Sequence, residues 1–230
     1  MTYPKDTQRK KRSSSKEDKA KQMDKILDGS LKLISDKGFH GFGMRALAKH
    51  IGMSQGNLYH YISSQRELWI AVRIKCMRDF KEKLEKIANF DKSDAKETLI
   101  KMGKFVFEFA EEDINRWKLM TIIKPPEPPI KEGEPFVGEI EKNYVSTRIL
   151  DVVFDILKRG REQGQLKELN FEIAGFYLYS VVLGITFTEY DLLTEDLMRD
   201  PEIGDKFKFD REDLRDFALN QLDLLLRKQG

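Results

Sequence analysis

Apolar residues return every three or four positions through most of the chain, and alternation at a spacing of two is nowhere sustained. Met23, Ile26, Leu27, Leu31 and Ile34 form the first stripe, the spacing that lines one face of an α-helix. It predicts a helix from Lys16 that Gly38 stops, with Phe39 folding back into the core. A short second helix follows from about Met44 to Ile51. Ser64 and Glu67 have the Ser-x-x-Glu spacing of a capping box. They open a long helix through Leu68, Val72, Met77 and Leu84 to about Ala88. Further helices are predicted over about Ala95 to Glu111, Ile114 to Ile123, Val137 to Gln163, Phe171 to Tyr190 after a cap at Asn170, and from a cap at Asp210 to Lys228. Lys124–Pro135 (KPPEPPIKEGEP) reads as a loop because its prolines forbid a regular helix. A linker containing Pro201 and Gly204 precedes the last helix. No strand is predicted, and the fold class is all-α with about nine helices.

The stretch Met44–Tyr61 has a more specific pattern. Leu47, Ile51, Met53, Leu58 and Tyr61 are the inward candidates, and Ala48 is small enough for a second helix to come close. Gly52 stands where one helix must end within a residue, and Ser54 caps a new one at once. Helix, three- or four-residue turn with glycine, helix is the helix-turn-helix arrangement. The face left free carries Gln55, Gly56, Asn57, Tyr59 and His60. Amide side chains present a donor and an acceptor together to a base edge. Gly56 lets backbone approach closely, Tyr59 offers a hydroxyl to phosphate and a ring to a thymine methyl, and His60 can donate to phosphate. This face suits a DNA major groove.

Charge supports that division. Residues 1–66 carry fourteen Lys and Arg against six Asp and Glu, and the remainder twenty-seven against thirty-three, so only the front favours a polyanion. Residues 1–15 are polar, basic and almost without apolar anchors, which predicts a disordered tail. Residues 16–66 then form the helix-turn-helix domain and 67–230 a second helical domain. The single cysteine, Cys76, permits no intramolecular disulfide and suits a reducing interior. The N-terminus lacks the apolar core of a secretory leader, and no uninterrupted apolar run approaches the ~20 residues that cross a bilayer. The expected location is the cytoplasm, without a membrane partner.

Gly-rich phosphate loops, His-Glu-x-x-His and serine elbows are absent from the sequence. His40, His50 and His60 lie ten residues apart, which does not place them on one helix face as a metal site. The chain is expected to be neither an enzyme nor a holder of metal or cofactor.

On these residues, Ile26–Val72 resembles the DNA-binding domain of the TetR family of transcriptional regulators. The matching features are Gly38-Phe39, Arg45…Leu47-Ala48, Gly52-Met53-Ser54…Gly56-Asn57-Leu58-Tyr59-His60-Tyr61 and Ser64…Glu67-Leu68. The resemblance assigns DNA contact to Arg45, Ser54, Gln55, Gly56, Asn57, Tyr59, His60 and Gln65. Two departures stand out. Phe42-Gly43 replaces the family's common Thr or Ser at the start of the second helix, and Gln65 stands where a Lys is common. Arg66, Arg45 and the basic tail are the candidates to supply that charge.

The resemblance further implies a dimeric repressor whose C-terminal domain binds a small molecule that alters the spacing of the two reading heads. The alternative is a DNA-binding protein of the same fold with no inducer, acting through a protein partner or as an architectural factor. A sealed apolar core favours the alternative, and a cavity with one or two polar groups favours the inducible form. Candidate ligand contacts are Phe105, Phe109, Trp117, Met120, Tyr144, Arg148, Phe154 and Tyr177. Helix Phe171–Tyr190 is apolar nearly all round, which predicts burial on more than one side. With the last helix it is the expected dimer surface, through Phe176, Leu183, Phe217, Leu222 and Leu225.

Overall fold

The computed structural model describes residues 16–90, 94–194 and 209–227. The expected tail at 1–15, the linker with Pro201 and Gly204, and the helix end at Lys228 lie outside the described residues. The described helices are α1 (Lys16–Lys37), α2 (Met44–His50), α3 (Gln55–Tyr59), α4 (Gln65–Phe90), α5 (Ala95–Glu112), α6 (Ile114–Thr121), α7 (Glu139–Lys142), α8 (Leu150–Glu162), α9 (Phe171–Thr194) and α10 (Arg211–Leu226).

The amino-terminal helices close around side chains that the apolar stripes selected. Ile26, Ile34, Leu47, Leu58, Ile62 and Leu68 are all at 0 % exposure. Gly38, at φ 64°, ends α1. Beyond it Phe39 turns inward and stacks on Trp69 at 5.2 Å, while Phe42 meets the same indole edge-on at 5.7 Å. Helix α4 runs unbroken from this cluster into the second half, across the expected boundary at residue 66. There α5 packs against α4, α6, α8, α9 and α10 and forms the middle of the larger core.

Two expectations fail. The helix predicted from Val137 to Gln163 is broken into α7 and α8. Asn143 donates its side-chain amide to the Glu139 carbonyl at 2.8 Å, and short polar side chains that bond their own backbone end helices readily. Residues up to Arg148, which sits at φ 44°, then run without helix, so there are ten described helices rather than nine. The loop after α6 also contains a minimal hairpin. Ile130 pairs with Pro135 and Lys131 with Glu134. Its two-residue turn has positive φ at both Glu132 (53°) and Gly133 (81°), the geometry whose twist matches paired strands. Two residues per strand are too few to show alternation.

The start of α4 is fastened to α7. Ser64 Oγ accepts from the Glu67 amide at 3.0 Å, which is half of the expected capping box. The Glu67 carboxylate does not return to Ser64. It accepts from the Ser63 amide at 2.7 Å, from the Ser63 hydroxyl, and from the Ile140 amide at 2.8 Å. Arg66 donates to both carboxylate oxygens of Glu141, at 2.6–3.0 Å, and to the Pro126 carbonyl at 2.6 Å. The bond to Glu141 holds its guanidinium above the usual arginine value. Gly138 makes the contact possible, since a Cβ there would lie 2.2 Å from Glu67 Oε1.

A second fastening joins α5, α9 and α10. Arg215 donates Nε and Nη2 to the buried Glu189 carboxylate at 2.6 and 2.7 Å and Nη1 to Glu111 at 2.8 Å. Its guanidinium also lies 5.6 Å over the Phe107 ring. These bonds, with Glu189 first, raise the Arg215 pKa. The Arg215 bond lowers that of Glu111. A depressed carboxylate contributes stability above its unfolded pKa and loses it on acidification, so this contribution fades as pH falls below the ordinary glutamate value of 4.5.

Helix α9 corrects the expectation of no membrane-length segment. Phe171–Tyr190 is long and apolar enough to cross a bilayer, and 22 % of that stretch is buried within the chain. Its inner flank packs on α5, α8 and α10 and carries the ion-paired Glu189.

Arg215→Ala leaves the Glu189 carboxylate buried without its partner. It is expected to cost about 3–5 kcal/mol in urea unfolding followed by circular dichroism, and Arg215→Met/Glu189→Met is expected to recover most of that loss. Gly138→Ala is expected to lower the thermal midpoint by forcing Glu67 and Ile140 apart. An unchanged midpoint means the α4–α7 fastening contributes nothing.

Candidate nucleic-acid interface and interior cavity

Three local devices orient α3. The first is the end of α2, where Met53 N donates to Ala48 O at 2.9 Å and Gly52 N to Lys49 O at 3.4 Å. This paired closure requires a left-handed residue, and Gly52 supplies it at φ 67°. The second is Ser54, in extended backbone, whose Oγ accepts from Asn57 N at 3.1 Å. The third is Leu58, the one buried residue of α3, at 0 % exposure. Gly29 assists from α1, because a Cβ there would stand 2.3 Å from Ile51 Cγ2. The sequence reading credited Ala48 with close approach and missed Gly29, whose position inside a helical stripe was the available signal.

With Leu58 turned inward, the rest of α3 faces solvent. Ser54, Gln55, Gly56, Asn57, Tyr59 and His60 are all exposed, Tyr59 at 47 %. Arg45 and Gln65 flank them and are also exposed. Lys49, one turn beyond Arg45 on α2, is exposed too. It went unnamed in the sequence reading, although its i+4 relation to Arg45 puts both cations on one face. The first departure has a structural counterpart, since Gly43 precedes α2 with no side-chain cap and Phe42 is buried against Trp69. Arg66 is withdrawn as a source of phosphate contact, because Glu141 and Pro126 hold its guanidinium.

In the second half, α4, α5, α6, α8, α9 and α10 line a partly open cavity of about 110 Å³. Its wall is apolar, with Met77, Met102 and Met120 among the lining side chains, and polar groups enter only from Trp117, Thr121 and Tyr179. Among the described residues, no charged side chain lines it. Of the eight predicted ligand contacts, Trp117 and Met120 line this space, at 4 % and 6 % exposure. Phe105 and Phe109 stand behind it, packed on Phe80 at 5.3 and 4.9 Å. Phe154 packs on Phe176 at 5.7 Å. Tyr177 is 51 % exposed on the outer side of α9. Tyr144 lines a separate hollow beside Arg66, Trp69 and Arg73. Arg148 is not on a central helix but in the segment before α8, 72 % exposed and paired with Asp151 at 2.9 Å. The sequence reading failed for Tyr144 and Arg148 because it drew one helix where there are two.

Helix α6 borders both regions. Trp117, Met120 and Thr121 face the cavity. At its start, Asp113 accepts from the Ser35 hydroxyl and Asn115 Nδ2 donates to Ser35 O at 3.3 Å, both on α1. Near its end the Met120 carbonyl accepts from Arg73 of α4 at 2.8 Å. Buried Cys76 on α4 has its thiol pushed up to about 12 by desolvation, so it stays protonated and unreactive at neutral pH.

The outer faces of α9 and α10 are apolar and open. Ile173 (69 %), Phe176 (56 %) and Tyr177 on α9 accompany Phe217 (64 %) and Leu224 (58 %) on α10. Of the five predicted dimer residues, Phe176 and Phe217 lie on this face. Leu183 and Leu222 instead line the cavity, Leu222 at 4 % exposure, and Leu225 packs against the core. The α10 stripe was read one turn-face inward of the surface it leaves open, where Leu224 stands.

Residues 26–72 match the family described as bacterial regulatory proteins, tetR family. The fatty acid metabolism regulator protein of Bacillus subtilis (strain 168) is 26 % identical over 143 residues, 62 % of this chain and 70 % of that protein. The biofilm operon icaADBC HTH-type negative transcriptional regulator IcaR of Staphylococcus aureus (strain Newman) is 27 % identical over 86 residues, 37 % of this chain and less than half, 44 %, of that protein. The crystal structure of the transcriptional regulator FadR from Bacillus subtilis in complex with stearoyl-CoA superposes with a TM-score of 0.57 at 20 % identity, over 86 % of this chain and 96 % of that one. Residues 26–72, which include the exposed α3 face, match the tetR family of bacterial regulatory proteins, and the chain as a whole has the all-helical fold of solved TetR-family transcriptional regulators.

Proposed function

We propose that this chain is a dimeric transcriptional repressor that holds an operator through two copies of α3 and releases it when a small apolar or amphipathic molecule enters the α4–α6–α8–α9 cavity. It acts in the cytoplasm and carries out no reaction of its own. The observation that carries the reading is the double role of α6, which walls the cavity with Trp117 and Met120 while gripping Ser35 of α1 and Arg73 of α4.

The physical steps follow from that junction. A cavity of about 110 Å³ is smaller than the ~150 Å³ apolar cavity that accepts benzene in an engineered protein. A longer ligand seated wholly inside therefore displaces its walls. Three of the lining side chains are methionines, which re-pack at low cost. The remaining displacement falls on α6, and through Ser35 and Arg73 on the helices that carry α3. A ligand that favours the displaced arrangement shifts the population away from the DNA-competent spacing, ~34–36 Å between reading helices. The relatives support both ends of this account. One solved FadR holds stearoyl-CoA, and IcaR is a negative regulator. A protein without an inducer has no use for the cavity, whose few polar groups favour the inducible form.

A second copy of the chain accounts for the open face. Ile173, Tyr177, Ser180, Gly184 and Thr188 follow one another at spacings of four, three, four and four on α9, all exposed. A Cβ at Gly184 would meet nothing within 4 Å in this chain. Phe217 and Leu224 continue the apolar surface on α10, and two such helix pairs form a four-helix bundle across a two-fold axis. That continuation onto an otherwise polar, acidic helix favours a protein partner over a bilayer.

Two measurements test the reading. The wild-type chain is expected to select a palindromic site from a random duplex pool. Tyr59→Ala is expected to bind that site at least tenfold more weakly in a gel-shift titration, with its oligomeric state unchanged, and undiminished binding removes the groove assignment. Phe217→Glu is expected to sediment as a monomer in analytical ultracentrifugation, and a surviving dimer places the interface elsewhere.

A further inference from the structure

The hollow beside Arg66 and Arg73 is separate from the apolar cavity and, at about 290 Å³, larger than it. Trp69, Ile70 and Ile74 of α4, with Ile123 and Pro125 beyond α6, give it apolar walls. Three charged residues also line it, Arg66, Arg73 and Glu141. Arg66 is matched, since both carboxylate oxygens of Glu141 accept from it at 2.6–3.0 Å. Glu141 is thereby spent. Arg73 has only a neutral acceptor, the Met120 carbonyl, which takes Nη2 at 2.8 Å. Among the described residues no carboxylate pairs with Arg73, and its Nε and Nη1 have no partner. Those two nitrogens are not sealed in the protein, unlike the indole nitrogens of Trp69 and Trp117. A guanidinium stays charged and carries its five N–H donors in a planar fork. The bond to Met120 uses one of the two Nη2 hydrogens. The other remains, beside Nε–H on one edge or Nη1–H on the other, so one two-donor edge of the fork is unused.

We infer that this hollow binds a compact organic monoanion, a carboxylate on an apolar or aromatic body, and that the unused edge of Arg73 clamps the carboxylate. Two parallel donors match the two oxygens of a carboxylate, and the charge makes both bonds stronger than neutral ones. Arg66, Arg73 and Glu141 together leave one positive charge, which one negative charge balances. Glu127 acts on Arg66 through its charge but is itself exposed, where salt screens it. The apolar walls suit the body of the molecule. A volume of about 290 Å³ lies just under the ~300–1,000 Å³ of small-molecule clefts, which keeps that body small. The site stands whether or not the apolar cavity takes a ligand. Its occupant would nevertheless sit one bond from α6, because the same guanidinium holds Met120.

The test titrates 3-phenylpropanoate and its uncharged isostere 3-phenylpropanamide into the full chain and into Arg73→Gln, by calorimetry. In the wild-type chain the carboxylate is expected to bind about tenfold more tightly than the amide, the lower end of what a hydrogen bond to a charged group supplies. In Arg73→Gln that advantage is expected to vanish, a cycle that cancels general changes in packing. Because Arg73→Gln also loses its bond to Met120, a second readout uses the wild-type chain, methyl-labelled at isoleucine. Nuclear Overhauser contacts from the ring protons of bound 3-phenylpropanoate are expected at Ile70, Ile74 and Ile123, which line this hollow, and not at Ile149, which lines the apolar cavity. A failure of the carboxylate to bind, or equal affinity for carboxylate and amide in the wild-type chain, overturns the site. So does a carboxylate preference that persists in Arg73→Gln, or contacts at Ile149 in place of the other three isoleucines.

Discussion

The burial of Leu58 is the constraint on which the rest depends. Helix α3 has five residues, far too few to persist alone in water. Its existence and its orientation are imposed by what surrounds it. Leu58 is buried in the same core as Ile26, Ile34, Leu47 and Ile62, Gly52 reverses the chain, and Ser54 caps the new turn. Once Leu58 points in, the 100° step of a helix turns Gly56, Asn57 and Tyr59 away from the core, and Gln55 and His60 at its two ends are exposed as well. A surface chemically suited to base edges is therefore a by-product of a packing decision made at one leucine.

The same economy governs the link between the two halves. Among the described residues no separate hinge element stands between the amino-terminal helices and the cavity, since α4 runs through both. Arg66 and Glu67 are spent on α7 and the Pro126 carbonyl, and α6 is held at one end by α1 and near the other by α4. These are directional bonds between helices, and in the proposed mechanism they are the route by which a shift of α6 would reach α1 and α4. Arg215 and its two glutamates hold the far side, α5, α9 and α10, together while that happens.

Much of this was legible in the sequence. The helical stripes located nine of the ten described helices because amphipathic packing needs a 3.6-residue period. The Gly52–Ser54 turn was visible because so few residues can end one helix and start another within three positions. The outward residues of α3 could be chosen because Leu58 fixes which way their neighbours point. What failed were events with no periodic signature. The break at Asn143 rests on one side chain bonding one carbonyl. The use of Arg66 and Glu67 depends on residues some sixty to seventy-five positions away. Cavity walls and ordinary core share one composition, so Trp117 and Met120, which line the cavity, were named beside Tyr144 and Arg148, which do not. Leu222 and Leu224 are two residues apart on one helix, and the sequence pattern alone favoured the one that packs inward.

The central claim is that the outward face of α3 is the surface that meets DNA. The most direct test is an amide-resonance titration of the deuterated, nitrogen-15-labelled protein with a duplex it selects. The account predicts that the largest shifts fall on Gln55, Gly56, Asn57, Tyr59 and His60, with smaller ones on Arg45 and Lys49 and none on the cavity wall. Shifts centred on any other surface, with residues 55–60 unmoved at saturating duplex, would contradict it.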